Sequence, residues 1–182
     1  MMPDLSFCTP NATSCSILNF AYGSNMLTAR ICDRVPSARA LGVAILLGHQ
    51  LRWHKASKDG SGKCDVVATA AEDSVYGVLY ELALTEKASL DRAEGLGSGY
   101  SERQVEVIFH GRKMLVSLYY ATAINSTLKP YYWYKELVIA GARQHGLPPE
   151  YIHMLESEEA IEDTNLARHA ENVALLKSAG QT

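Results

Sequence analysis

Phe20-Ala21-Tyr22-Gly23-Ser24-Asn25-Met26 closes the apolar run from Ile17 to Tyr22 at a glycine and opens onto a segment of different periodicity. The run has the length and composition of a buried strand. Beyond it, Leu27, Ile31 and Val35 recur four apart, which predicts an amphipathic helix over Met26 to Val35 with Arg30 and Arg34 on another face and Pro36 as its stop. Gly23 lets the chain turn sharply, and Asn25 reads as a helix N-cap. A strand that runs into a helix through such a turn leaves backbone N–H groups without internal partners, a natural seat for a carboxylate.

Working outward, Ala40 to Leu47, His49 to Trp53, Val66 to Ala71 and Val75 to Leu82 are alternating or β-branched segments that predict strands. Val105 to Phe109 and Leu115 to Ala121 flank His110-Gly111-Arg112-Lys113, a hairpin turn by composition. A second helix is expected from Thr85, its N-cap, to Glu94, with Gly95 taking the left-handed turn that ends it. A third spans Tyr131 to His145, entered after Pro130 and stopped by Gly146 and Pro148, with Tyr134, Leu137, Val138 and Gly141 as its buried stripe. Pro149 to Glu156 and Leu166 to Ala179 predict two more helices, and the acidic run Glu156 to Asp163 between them reads as solvated surface. Intermixed strands and helices give an α/β (α+β) fold class in one domain, residues 1–182.

Composition narrows the function. A chain of 182 residues with a formal net charge of −3 offers no basic stripe, so neither nucleic acid nor an anionic membrane surface is expected as a partner. No apolar run nears the ~20 residues of a membrane helix, and the polar stretch from Met1 to Ser16 does not read as a signal peptide. Cys8, Cys15, Cys32 and Cys64 lack the spacing of a zinc site or disulfide framework, so reduced thiols in the cytoplasm are expected and no metal. Asn11-Ala12-Thr13 matches a glycosylation acceptor only by chance in that setting. Asp59-Gly60-Ser61-Gly62-Lys63 lacks the upstream glycine and following hydroxyl of a phosphate-binding loop and reads as a flexible surface loop. Gly95, Gly97 and Gly99 follow a helix where a dinucleotide fingerprint would open one, so no nicotinamide cofactor is implied. Ser24 lacks the second glycine of a nucleophile elbow, and the scattered histidines read as surface or packing residues.

Three segments together resemble the γ-glutamylcyclotransferases, animal-type branch: Tyr22-Gly23-Ser24-Asn25, Leu90-Asp91-Arg92-Ala93-Glu94-Gly95, and Tyr134-Lys135 through Gly141-Ala142 to His145-Gly146-Leu147-Pro148-Pro149-Glu150-Tyr151. In order they cover about residues 17–155, leaving the N-terminal segment and the last helix peripheral. The resemblance implies a small, mostly antiparallel β-barrel, closed or nearly so, with helices around it and one cavity; it also implies a homodimer. It implies Glu94 as the catalytic acid/base, and Asn19, Phe20, Ala21, Tyr22, Gly23, Ser24, Asn25, Tyr100 and Tyr134 around the substrate.

The implied reaction converts γ-glutamyl amino acids or amines to 5-oxoproline and the free amine, with no cofactor. The substrate's α-amine attacks its own γ-carbonyl; one carboxyl group takes a proton from that amine and protonates the leaving nitrogen. Burial of Glu94 in an apolar pocket is expected to lift its pKa from about 4.3 toward about 6 to 7. The form Y-G-S-N differs from the glutathione-specific branch, Y-G-S-L, and from the γ-glutamylamine branch, Y-G-T-L, and so points to broad γ-glutamyl amino acid turnover. Two alternatives stand beside it: a non-catalytic module binding an acidic metabolite on the same fold, and removal of a γ-glutamyl group from a biosynthetic intermediate. The loops around Ser57 to Lys63 or Asn125 to Lys129 are candidates for contacting the leaving amine.

Overall fold

Hydrogen-bonded pairing of β1 (Ser16–Ala21) with β5 (Ser74–Ala83) begins the sheet in the computed structural model, which describes residues 15–180. The expectations about the N-terminus, Cys8 and Asn11 lie outside those residues. The remaining strands are β2 (Arg39–Leu47), β3 (His49–Ala56), β4 (Gly62–Ala68), β6 (Tyr100–Phe109) and β7 (Arg112–Ala121). Five of the seven close into a barrel of order β1-β5-β2-β6-β7, while β3 and β4 form a separate two-stranded sheet. The barrel is antiparallel except where β1 meets β7 in parallel at Asn19 and Ser117. At that seam Asn19 Nδ2 donates to the Ser117 carbonyl and Oγ at 3.4 Å, which fixes how the barrel closes. The β6–β7 turn places His110 at φ 47° and Gly111 at φ 74°, the pair of positive values that a tight hairpin needs.

The helices are α1 (Thr28–Arg34), α2 (Lys87–Glu94), α3 (Tyr132–Gln144), α4 (Pro149–Glu156) and α5 (Leu166–Ala179). The single helix expected from Met26 to Val35 is instead a 3-10 turn, Ser24–Met26, separated from α1 by Leu27 in extended conformation (ψ 117°). Leu27, Ile31 and Val35 are all buried as their spacing implied. Asn25 is therefore not an N-cap, because it lies inside the 3-10 turn and its side chain is engaged elsewhere. Nor does Thr85 cap α2, which starts from a second 3-10 turn, Leu84–Glu86, without a side-chain cap.

Two further expectations change. Asp59 to Lys63 is no flexible loop: Ser61 and Gly62 are buried, and Gly62 and Lys63 already belong to β4. A Cβ on Gly62 would lie 2.2 Å from the Trp53 carbonyl oxygen, so glycine here permits close strand contact. The acidic run is not wholly solvated either. Asp163 is buried, accepts from Trp133 Nε1 at 2.8 Å, and is clamped by Arg168 through Nε and Nη2, both at 2.6 Å. Those donors hold the Asp163 carboxyl well below the usual range.

Packing explains the position of the turn after β1. The α3 stripe of Tyr134, Leu137, Val138 and Gly141 is buried, and a Cβ on Gly141 would sit 2.5 Å from Leu27 N and 2.7 Å from Met26 C. The helix thus presses its bare backbone against the end of the 3-10 turn. Among the described residues no helix is long and apolar enough to cross a membrane.

Candidate active site

Each residue of Tyr22-Gly23-Ser24-Asn25 does something distinct. Tyr22 is buried and its hydroxyl donates to the Tyr119 carbonyl on β7. Gly23 has φ −112°, so no left-handed turn demands glycine; a Cβ there would come 3.1 Å from Tyr134 Oη and 3.2 Å from Cys64 Cβ, so the requirement is room. Ser24 Oγ accepts from Arg30 Nε at 3.2 Å. Asn25 Nδ2 donates to Glu94 Oε1 at 2.7 Å, while its Oδ1 accepts from Arg34 Nη1 at 2.8 Å. The backbone amides of Gly23, Ser24 and Asn25 meet no acceptor among the described residues.

Glu94 is delivered by the end of α2. Leu90 is fully buried and anchors the helix, and Asp91 Oδ1 accepts from Tyr119 Oη at 2.6 Å, one turn before the glutamate. Gly95 at φ 72° closes the helix, with Leu96 N bonded to the Asp91 carbonyl at 2.9 Å. Arg34 Nη1 reaches Glu94 Oε1 at 2.7 Å, completing a triangle with Asn25. The surroundings of Glu94 are thus an ion pair and an amide rather than the apolar pocket expected. Both contacts fall on Oε1, so Oε2 has no hydrogen-bond partner among the described residues.

These elements form a small inner chamber, open to solvent, lined by the chain from Asn19 to Asn25 with Cys64, Glu94, Tyr100, Tyr119 and Tyr134. All ten residues singled out in the sequence meet here. Among the described residues Glu94 is the only carboxylate in the lining. Burial, before any charge effect, raises the Tyr22, Tyr100 and Tyr134 hydroxyls well above the ordinary tyrosine value, so they stay protonated and serve as donors rather than bases. Tyr100 Oη spends its proton on the Cys64 carbonyl at 2.6 Å. Tyr134 Oη instead accepts from the Cys64 amide at 3.1 Å, which leaves its own proton with no carbonyl acceptor.

Cys64 and Tyr119 were not expected at the site. Cys64 enters because β4 begins earlier than its composition suggests and runs past the chamber mouth; burial pushes its thiol up to about 12, so it is a wall and not a nucleophile. The cavity continues into an outer chamber, which shares Ser24, Glu94, Tyr100 and Tyr134 with the inner and adds Arg30, Arg34, Lys55 and Lys63. Arg30 and Arg34, four apart on α1, were legible as a polar face but not as a wall of this site. Of the two loops expected near a leaving group, only Ser57 to Lys63 contributes to the outer lining, through Ser57, Asp59 and Lys63.

Chemically, the inner chamber can hold an anionic group on the loop amides, present the Tyr134 hydroxyl as a hydrogen-bond donor to developing negative charge, and offer one carboxylate oxygen for proton transfer. The AIG2-like family model matches residues 74–155, which include α2 and Glu94. The chain is 35% identical over 149 residues to the Bos taurus gamma-glutamylcyclotransferase, covering 79% of each. With the Homo sapiens gamma-glutamylcyclotransferase it shares 32% identity over 172 residues, 92% of this chain and 90% of that one. A solved structure of a gamma-glutamyl cyclotransferase superposes with a TM-score of 0.77 at 33% identity, covering 83% of this chain and 92% of the other. The triangle of Asn25, Arg34 and Glu94 thus belongs to a chain similar to these enzymes along most of its length, and the chain is a member of the γ-glutamylcyclotransferase family.

Proposed function

We propose that this enzyme releases 5-oxoproline from γ-glutamyl amino acids or amines, with Glu94 as the proton carrier. The observation that carries the reading is the lone carboxylate of the inner chamber facing the uncommitted amides of Gly23, Ser24 and Asn25. The substrate α-carboxylate docks on those amides, which brings its α-ammonium to Glu94 Oε2. Glu94 takes a proton from that nitrogen, the freed lone pair attacks the γ-carbonyl, and a five-membered lactam closes. Tyr134 donates to the oxyanion. Collapse of the adduct breaks the bond to the leaving nitrogen, which takes the proton held by Glu94. The attacking nitrogen sheds two protons overall and the departing one gains two; Glu94 carries one and solvent exchanges the other. Folding the flexible chain into this geometry supplies much of the acceleration, since effective molarities reach about 10⁵ M.

A cavity serving only to bind an acidic metabolite gains nothing from a carboxylate in its wall, which would repel the ligand. The whole chain acts as one domain in this reading. Asn172 of α5 accepts from Arg30 Nη1 at 3.0 Å, so the last helix braces the site from outside. A cytoplasmic setting follows from reading the cysteines as reduced thiols, and a homodimer is the assembly the resemblance implies. The test is lactam release from a panel of γ-glutamyl dipeptides and amines, with γ-glutamylalanine as reference. The reading expects 5-oxoproline in equimolar amount with free alanine, and absence of lactam from every donor overturns it.

A further inference from the structure

The outer chamber holds more positive charge than the cyclisation requires. Four cations line it, Arg30, Arg34, Lys55 and Lys63, against two carboxylates, Asp59 and Glu94. Arg34 is committed to Glu94 at 2.7 Å, and Lys63 to Asp59 at 2.8 Å. Arg30 bonds only neutral groups, Ser24 and Asn172. The Lys55 ammonium has no hydrogen bond or ion pair among the described residues, although the residue is only 7% exposed; it sits 4.7 Å over the Tyr100 ring. The glycine run before β6 makes space for it, since a Cβ on Gly99 would lie 3.3 Å from Lys55 Nζ. A nearly buried ammonium that has a ring face beneath it and feels Glu94 and Asp59 only through space, with no direct ion pair, is an arrangement that an anionic ligand relieves.

Resting on the cyclotransferase reading, we propose that the outer chamber is a leaving-group subsite for dicarboxylic amino acids, in which Arg30 and Lys55 each receive one carboxylate of a departing glutamate or aspartate. The placement follows from connectivity. Glu94, Tyr100, Tyr134 and Ser24 border both chambers, so a γ-glutamyl group bound to the inner amides directs its amide nitrogen past Glu94 into the outer space. The committed pairs hold the walls, and the two uncommitted cations remain for the ligand. Burial lowers the affinity of both groups for their protons, Arg30 to about 10, yet both remain cationic at neutral pH. Lys55 and Arg30 are thus specificity-determining residues, and the inner groups carry the chemistry.

The experiment compares kcat/KM for γ-glutamylglutamate and γ-glutamylglutamine, which match in shape and differ by one charge. The expected preference for glutamate is about tenfold or more, residing in KM, and Lys55→Met brings the ratio toward one. Lactam release at equal kcat/KM from the two dipeptides overturns the subsite while leaving the cyclotransferase reading in place; no lactam from either, or from γ-glutamylalanine, overturns both. Should Lys55→Met fail to fold, product inhibition of the unaltered enzyme decides. Glutamate is expected to inhibit at roughly tenfold lower concentration than glutamine, and equal inhibition overturns the proposal.

Discussion

The inner and outer chambers meet at Glu94 and are made of opposite materials. Inside, among the described residues, are four protonated tyrosines, a run of backbone amides and one carboxylate; outside are four cations and two carboxylates, counting Glu94 in both. In the proposed reaction, neutral, fixed donors suit a site where charge must develop, because they would stabilise an oxyanion without drawing the α-ammonium or the proposed proton carrier away from their task. Mobile cations would compete for Glu94, and the one that does reach it, Arg34, contacts a single oxygen. Full charges suit a site that has only to choose among ligands. The division assigns turnover to one side of Glu94 and selection to the other, and substitutions should separate the two.

The largest effect belongs to the group both sides share. Glu94→Gln keeps the shape and an oxygen for Arg34 but cannot carry a proton, so kcat on γ-glutamylalanine should fall by about 10²–10⁴. Thermal unfolding of the variant checks that the fold is intact. A kcat within threefold of the parent enzyme means that the proton carrier lies elsewhere, and the contrast between the chambers then has no pivot.

A smaller effect tests whether the inner wall is held from behind. Gly141→Ala places a methyl 2.5 Å from Leu27 N, and backbone cannot step aside as a flexible side chain would. The 3-10 turn must shift, and with it the amides of Gly23 to Asn25. We expect a loss of about 1–3 kcal/mol in stability by denaturant titration, together with a roughly tenfold fall in kcat from the displaced amides. The preference between γ-glutamylglutamate and γ-glutamylglutamine should persist in the part carried by Lys55, which lies on β3 away from the displaced turn. Loss of that preference along with kcat would show the chambers to be one mechanical unit.

The same division marks what the sequence could reveal. The barrel strands were legible because apolar alternation survives wherever one face is packed, and α4 and α5 were bounded by proline and by a periodic stripe. Glu94 was legible through its motif, whose parts the structure accounts for: Leu90 anchors, Asp91 ties α2 to Tyr119, and Gly95 ends the helix. The outer chamber was not legible. Its cations come from α1, β3 and β4, elements distant in sequence, and the start of β4 is disguised by Gly60-Ser61-Gly62, where the approach of Trp53 forbids a side chain. The break at Leu27 was hidden for a related reason. Leu27, Ile31 and Val35 keep helical spacing, but the backbone of Met26 and Leu27 is shaped by its contact with Gly141, a residue on another helix.

The smallest effect is also the most discriminating, because it moves selection and stability in opposite directions. Lys63 is brought down to about 8, by burial first and against the opposing pull of Asp59. Facing it are Asp59 and Ser61 from the same hairpin, the Tyr131, Trp133 and Tyr134 rings at 5.5, 4.4 and 4.5 Å, and the charges of Arg30 and Lys55 across the chamber. As pH rises from 7 to 9 the Lys63 ammonium loses its proton, Asp59 is left uncompensated, and the chamber's formal charge drops from four cations less two carboxylates, +2, to +1. The preference for γ-glutamylglutamate should then weaken by roughly two- to fivefold, with its midpoint near pH 8. Titration of the substrate α-amine cancels in the ratio, since both dipeptides carry it. The stability contribution of Lys63 has the other sign: its folded value lies below its ordinary 10.5, so the unfolded chain binds more protons between these values and this contribution to stability rises with pH across that window. A fall in the preference caused by alkaline loosening of the fold would instead accompany a falling unfolding midpoint and a falling kcat on both dipeptides. A ratio that stays flat between pH 7 and 9 would remove Lys63 from the selecting wall and leave Arg30 and Lys55 to account for the preference by themselves.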